Sequence, residues 1–148
     1  MTTPAKRVPV PLQLSGLVAA GTLLIALIQL FFIVRFVFSM QTVTVGGALA
    51  LPYAALAGRV LFAVFAGLVL VSILRFSGRA AARLSLALFA LLAVFFGANI
   101  ASTIGEQSGP EALPQTGFMI VLATRAFWIL CLFWIGLDVR KLAAAPSR

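Results

Sequence analysis

This chain of 148 residues contains no histidine, one cysteine and only three acidic residues. Without histidine it lacks the commonest metal ligand and the commonest general base of enzymes. The single cysteine, Cys131, excludes an internal disulfide and a paired-thiol metal site, and we expect it to be a small buried hydrophobic residue. No glycine-rich phosphate loop is present, and no serine or cysteine stands beside a base. We therefore predict that the protein is not an enzyme and has no catalytic residue, metal site or cofactor.

Charge of either sign is also scarce, since 9% of the residues are charged while 63% are hydrophobic. An ordinary soluble domain carries about 25% charged residues. A soluble fold could not cover so much apolar surface, whereas a bilayer replaces the water around a helical bundle. The composition therefore predicts an integral membrane protein.

The charge that remains is unbalanced, with a formal net charge of +8. A basic protein can bind nucleic acid through its phosphates. Here the basic residues are scattered at the ends of apolar runs, which is the distribution that the positive-inside rule describes. We expect anionic lipids at the cytoplasmic face of the bilayer to be the counter-ions, and no nucleic-acid partner.

Four apolar stretches are long enough to cross a hydrocarbon core of about 30 Å at 1.5 Å per residue. We predict an all-α fold, a bundle of four transmembrane helices with short loops, in one domain over residues 1–148. The predicted spans are residues 14–38, 54–76, 82–104 and 117–138. The second places Arg59 inside a helix, because the 15 residues between Arg59 and Arg75 are too few for a span. The two halves show no internal repeat, so an inverted-repeat transporter finds no support.

The connections between the spans predict the orientation. Arg75, Arg79 and Arg83 form a basic turn between the second and third spans, and such turns stay in the cytoplasm. The other two loops contain no lysine or arginine, and the later one holds Glu106 and Glu111. Both termini are therefore expected in the cytoplasm. The excess of arginine over lysine suggests a GC-rich bacterial source and hence the cytoplasmic (inner) membrane.

Within the connections, the alternation over residues 41–45 predicts a short extended segment, and Ser77-Gly78 predicts a break between helices. Small and polar residues at helical spacing predict where helices touch in lipid. The predicted stripes are Ser15, Ala19, Thr22, Ala26 and Gln29 on the first helix, Ala55, Arg59, Ala63 and Ala66 on the second, and Ala90, Ala93 and Gly97 on the third.

Three arginines, Arg35, Arg59 and Arg125, fall within or at the edge of apolar runs. A charged side chain at the middle of a span costs about 2.5–3.5 kcal/mol on insertion scales, so it needs compensation. Snorkelling to head groups is one explanation, with Arg125 paired to Glu106 or Glu111, or to Asn99 and backbone carbonyls. The other is an outward-facing anion or lipid head-group site. Its candidate residues are Arg125, Arg59, Asn99, Gln29 and Arg35.

Two classes of function remain open. The first is an accessory or interaction subunit that packs on another membrane protein through helix faces bearing Trp128, Phe133 and Trp134. The alternative is an oligomeric channel, carrier or lipid-binding protein that uses the arginine site, since guanidinium groups match phosphate and carboxylate geometry. The expected partner is a membrane protein in the first case and further copies of this chain in the second.

Overall fold

The computed structural model describes residues 8–40, 50–75, 78–107, 109 and 114–144, with side chains described outside 36–40 and 50–55. These residues form four helices: α1 (Val10–Met40), α2 (Ala50–Leu74), α3 (Gly78–Glu106) and α4 (Gln115–Ala144). Each is long and apolar enough to cross a membrane. This confirms the predicted all-helical fold and the prediction of four helices that could span a membrane. The extended segment predicted at 41–45 lies outside the described residues, as does Ser77 of the predicted break.

The helices differ in length from the predicted spans. All four begin earlier than predicted, at Val10, Ala50, Gly78 and Gln115; three end later, at Met40, Glu106 and Ala144, while α2 ends at Leu74 rather than 76. Apolar runs mark only the part of a helix inside hydrocarbon. The 30 residues of α4 extend about 45 Å, which matches a bilayer of about 40–45 Å with its head-group layers.

The early start of α1 shows how proline is accommodated. Pro11 lies in its first turn, where backbone N–H groups have no helical partner and the missing donor costs nothing. The Pro9 carbonyl accepts from the backbone N–H of Leu12 at 2.9 Å and of Gln13 at 3.1 Å. The Gln13 side chain also donates to the Val8 carbonyl at 2.8 Å. Pro52 likewise falls in the first turn of α2. These prolines begin helices rather than break them.

The helices pair as two hairpins, α1 with α2 and α3 with α4, which join where α2 packs on α3; α1 touches α4 much less. We call the end that holds Val10, Leu74, Gly78 and Ala144 the turn end, and the opposite end the loop end. Most buried residues of the described part lie in the turn-end half. They are Leu12, Ser15, Ala19, Ala66, Val69, Ala81, Ala82, Ser85, Leu88, Phe89, Leu92, Leu132 and Val139. Among described side chains, only Ala26 and Thr103 are buried nearer the loop end.

Of the packing stripe predicted on α1, Ser15, Ala19 and Ala26 are buried, while Thr22 and Gln29 are half-buried. Of the stripe predicted on α2, Ala66 is buried and Arg59 and Ala63 are half-buried, while the side chain of Ala55 lies outside those described. The stripe predicted on α3 is wrong. Ala90 is exposed, and a Cβ added to Gly97 would meet nothing within 4 Å.

The real packing face of α3 consists mainly of alanine and large side chains. Its largest members, Leu88 and Phe89, fill space rather than bring backbones together, so a search for small residues does not find them. Gly136 of α4 sits beside this face, where an added Cβ would lie 3.7 Å from the Phe89 ring.

Candidate intramembrane binding site

A cavity of about 530 Å³ lies between the four helices, a size within the range of small-molecule sites. Its walls are mostly aliphatic and aromatic. Leu92 and Leu132 on its walls are buried. Other lining residues, Leu17 and Ile25 of α1 and Trp128 of α4, are exposed on the surface of the bundle. The cavity therefore opens sideways between α1 and α4, which pack on each other much less than the helices within either hairpin do.

Two strongly polar side chains, Arg59 and Gln29, stand at the end of the cavity nearer the loop end. The guanidinium of Arg59 forms no hydrogen bond or ion pair with another described residue, and its Nε is buried without a partner. Its Cζ lies 4.8 Å from the centre of the Phe95 ring. Such a contact is worth about 0.5–2 kcal/mol, less than the insertion cost of the charge. The ring therefore offsets only part of that cost.

The position of Phe95 also bears on snorkelling. Phe95 is 11 residues before Glu106, so it lies about 16 Å along α3 from the loop end. The Arg59 guanidinium stacks at that level instead of stretching toward the helix ends. Phe62 and Phe96 pack edge-on against Phe95, with ring centres 5.4 and 5.7 Å away, and they hold the ring in place. Arg59 is therefore a cation directed into the bundle.

Arg125 has a different environment, although it is also an arginine far from a helix end. Its Nη1 donates to the backbone carbonyl of Asn99 at 2.9 Å and to the hydroxyl of Thr103. That hydroxyl donates in turn to the Asn99 carbonyl at 2.8 Å. This arrangement, which we call the Arg125 clasp, joins α4 to α3. Of the partners predicted for Arg125, the structure shows the backbone carbonyl of Asn99 but not the Asn99 side chain, and Glu106 accepts a hydrogen bond from Ser102 at 2.8 Å instead.

The structure does not bring the five candidate residues into one pocket. Gln29 and Arg59 share the cavity, whereas Arg125 and Asn99 form the clasp outside its lining. The Asn99 side chain donates to the Phe95 carbonyl of its own helix at 2.8 Å. Arg35 is exposed on α1, away from the cavity, without a hydrogen bond to another described residue. Glu111, the other predicted partner of Arg125, lies outside the described residues.

Sequence reasoning missed the residues that decide these two environments. Phe95 and Thr103 flank Asn99 at four-residue spacing, so the three share one face of α3. This four-residue spacing is the feature of the sequence from which their shared face could have been predicted. Trp128 and Cys131 line the cavity as well, and Cys131 is half-buried with a free thiol rather than fully buried as predicted. Within the described residues, no group of histidine, cysteine and acidic side chains is placed to hold a metal ion.

Comparisons with models of protein families, with curated proteins and with solved structures give no match for this chain.

Proposed function

We propose that the protein binds an acidic amphiphile, a molecule of the lipid class, with its anionic head on Arg59 and its apolar part in the cavity. The observation that carries the proposal is the Arg59 guanidinium, which has no hydrogen-bonding partner among the described residues and stands at one end of an apolar cavity. A carboxylate or phosphate oxygen would satisfy both the charge and the N–H donors of this group.

Gln29 supports this assignment, because its amide shares the Arg59 end of the cavity and hydrogen-bonds to no other described residue. An amide can donate to one oxygen of a head group while the guanidinium binds another. The remaining lining is apolar and opens sideways toward the acyl chains of the bilayer. A ligand can therefore reach the site from the membrane without passing through the loops.

The natural tryptophans provide the test. Trp128 lines the cavity, whereas Trp134 is 75% exposed and lies outside the lining. The protein carrying Trp134→Phe, in vesicles of phosphatidylcholine, is titrated with a fatty acid brominated at mid-chain, and quenching of Trp128 fluorescence is followed. We expect quenching that saturates, and weaker quenching by the brominated alcohol of equal length. A brominated alkyl phosphate tests whether the site prefers phosphate to carboxylate.

Arg59→Met in this background should weaken binding of the acid about 10-fold or more, because a hydrogen bond to a charged group contributes about 1.5–3 kcal/mol. Arg59→Lys should restore part of the affinity. Arg35→Met serves as the matched control, since the structure places Arg35 outside the cavity, and it should bind like the parent. Quenching that never saturates, or that is equal for acid and alcohol, would show that Trp128 meets only bulk lipid and would refute the proposal.

The accessory-subunit function stays a prediction. Its candidate face is present, because Phe133 is 66% and Trp134 is 75% exposed on α4. Lipid chains can cover this face as well as a partner helix can. Its exposure therefore does not show whether a partner protein binds there. The oligomeric channel, in which Arg125 would be repeated around an axis, also stays a prediction.

For the orientation, we propose that the turn end faces the cytoplasm of a bacterial cell and that the protein resides in its inner membrane. Arg75, Arg79 and Arg83 are exposed at that end. Its one acidic residue in the described part, Asp138, is paired with Lys141 at 2.6 Å. The three arginines are then free to meet anionic lipid head groups.

A further inference from the structure

We infer that the cavity binds head groups that carry one negative charge, such as a carboxylate, and discriminates against head groups that carry two, such as the dianion of a phosphate monoester. This inference rests on the proposed function. It adds the charge of the ligand's head group, and it identifies Gln29 as a residue at which that preference can be changed.

The charge of the lining limits how much negative charge can be matched. Of the described side chains that line the cavity, only the Arg59 guanidinium on α2 is charged. The lining residues of α1 and α3 do not ionise, and on α4 only the Cys131 thiol can, which would add negative charge. One negative charge on a ligand therefore forms a neutral pair with Arg59, and a second negative charge is left unmatched.

The other two arginines of the loop-end half do not supply a second positive charge. Arg125 donates through Nη1 to α3 in the clasp and does not line the cavity. Arg35 is exposed on α1, away from the cavity. The connecting residues 41–49 and 108–113 contain no lysine or arginine. A ligand in the cavity therefore meets a single cation.

An unmatched charge is costly at the position of Arg59. Phe95, whose ring the guanidinium contacts, lies about 16 Å along α3 from the loop end. The Arg59 Nε is buried, and the lining is mostly apolar. In such surroundings both the attraction between charges and the penalty for desolvating them are much larger than in water. A dianion should therefore bind about 10-fold or more weakly than a monoanion with the same chain.

Gln29 is the position at which a second positive charge can be added. Its amide shares the Arg59 end of the cavity and donates hydrogen bonds without carrying charge. Gln29→Arg therefore places a second guanidinium at the head-group end. Ile28, the preceding residue of α1, is 49% exposed and does not line the cavity. Ile28→Arg is the matched control, because it adds the same charge at the same level of α1 but outside the site.

The experiment titrates the protein carrying Trp134→Phe and Cys131→Ser, in phosphatidylcholine vesicles, with three amphiphiles of equal chain brominated at mid-chain. They are a fatty acid, an alkyl sulfonate and an alkyl phosphate. The partition of each into protein-free vesicles is measured, so that affinity refers to ligand within the bilayer. Quenching of Trp128 is followed from about pH 5 to about pH 9, where the phosphate passes from monoanion to dianion and the sulfonate keeps one charge.

The three head groups should respond differently to pH. Binding of the sulfonate should stay constant, because neither its charge nor that of Arg59 changes. Binding of the fatty acid should rise with pH as its carboxyl group ionises. Binding of the phosphate should fall about 10-fold or more as its second proton leaves. In Gln29→Arg this fall should disappear, because two guanidinium groups match the dianion, whereas Ile28→Arg should behave like the parent.

The outcomes separate the two claims. If none of the three amphiphiles gives saturable quenching of Trp128, the proposed function fails and this inference fails with it. If they bind but the phosphate dianion binds as tightly as the sulfonate, the selection for one charge is overturned while the acid site stands. Equal phosphate profiles in Gln29→Arg and Ile28→Arg would also overturn it. If Gln29→Arg does not fold, the phosphate and sulfonate profiles of the parent decide alone.

Discussion

Arg125 of α4 donates a hydrogen bond to the hydroxyl of Thr103 on α3, 22 residues earlier in the chain. The same guanidinium nitrogen reaches the Asn99 carbonyl at 2.9 Å, one turn away on α3. These bonds lie in the loop-end half of the bundle, where few described side chains are buried. The clasp therefore holds α3 and α4 together at a level where packing contributes little.

Thr103→Val should destabilise the bundle by about 1 kcal/mol, because interhelical hydrogen bonds in membranes contribute about 0.6–1.7 kcal/mol. Valine keeps the shape of threonine and removes only the hydroxyl. Thermal unfolding in mild detergent measures the change. Thr124→Val is the matched control, since the exposed Thr124 hydroxyl donates to Ile120 of its own helix at 2.8 Å and joins no second helix. Equal losses in the two variants would contradict an interhelical role for Thr103.

Arg59 and Arg125 should respond in opposite directions to the same substitution. Arg125→Met removes the two hydrogen bonds that Nη1 donates to α3 and should lower the unfolding temperature. Arg59→Met removes an unpartnered charge whose insertion cost of about 2.5–3.5 kcal/mol exceeds the contribution of the Phe95 ring, so ligand-free protein should gain about 1 kcal/mol. Thermal unfolding of both variants, measured after extraction of bound lipid, shows whether each substitution raises or lowers the stability. A loss of stability in Arg59→Met under these conditions would show that Arg59 is structural.

The sequence was sufficient to predict the four helices but not the different environments of these two arginines. Four spans were predictable because hydrocarbon requires about 20 apolar residues per helix and satisfied backbone hydrogen bonds, and both requirements are visible along the chain. The partners of Arg59 and Arg125 were not, since each depends on which residue of another helix lies opposite. Thr103 and Phe95 come from α3, whose packing face was assigned wrongly from Ala90 and Gly97.

Ser85 is a buried hydroxyl without a hydrogen-bond partner among the described residues. Such a group costs about 1–3 kcal/mol when left unsatisfied. Ser85→Ala should therefore raise the unfolding temperature or leave it unchanged. Ser15→Ala is the comparison, because Ser15 is equally buried but donates to the Pro11 carbonyl at 3.0 Å. Ser15→Ala should not stabilise the bundle, because it removes a hydrogen bond that the folded protein forms. A drop in stability for Ser85→Ala larger than that for Ser15→Ala would mean that Ser85 has a bonded partner in the membrane.

The proposed orientation predicts the position of the two ends of the bundle. A reporter that is active only outside the cytoplasm should be active when fused after Gln107 at the loop end, and silent when fused after Arg75 at the turn end. Replacing Arg75, Arg79 and Arg83 together by Gln should reduce this difference, because the cations that resist translocation are then lost. Replacing Arg140 alone should not, since the other cations of that end remain. Activity after Arg75 in the unaltered protein would reverse the orientation, and would place the Arg59 end of the cavity nearer the cytoplasmic face.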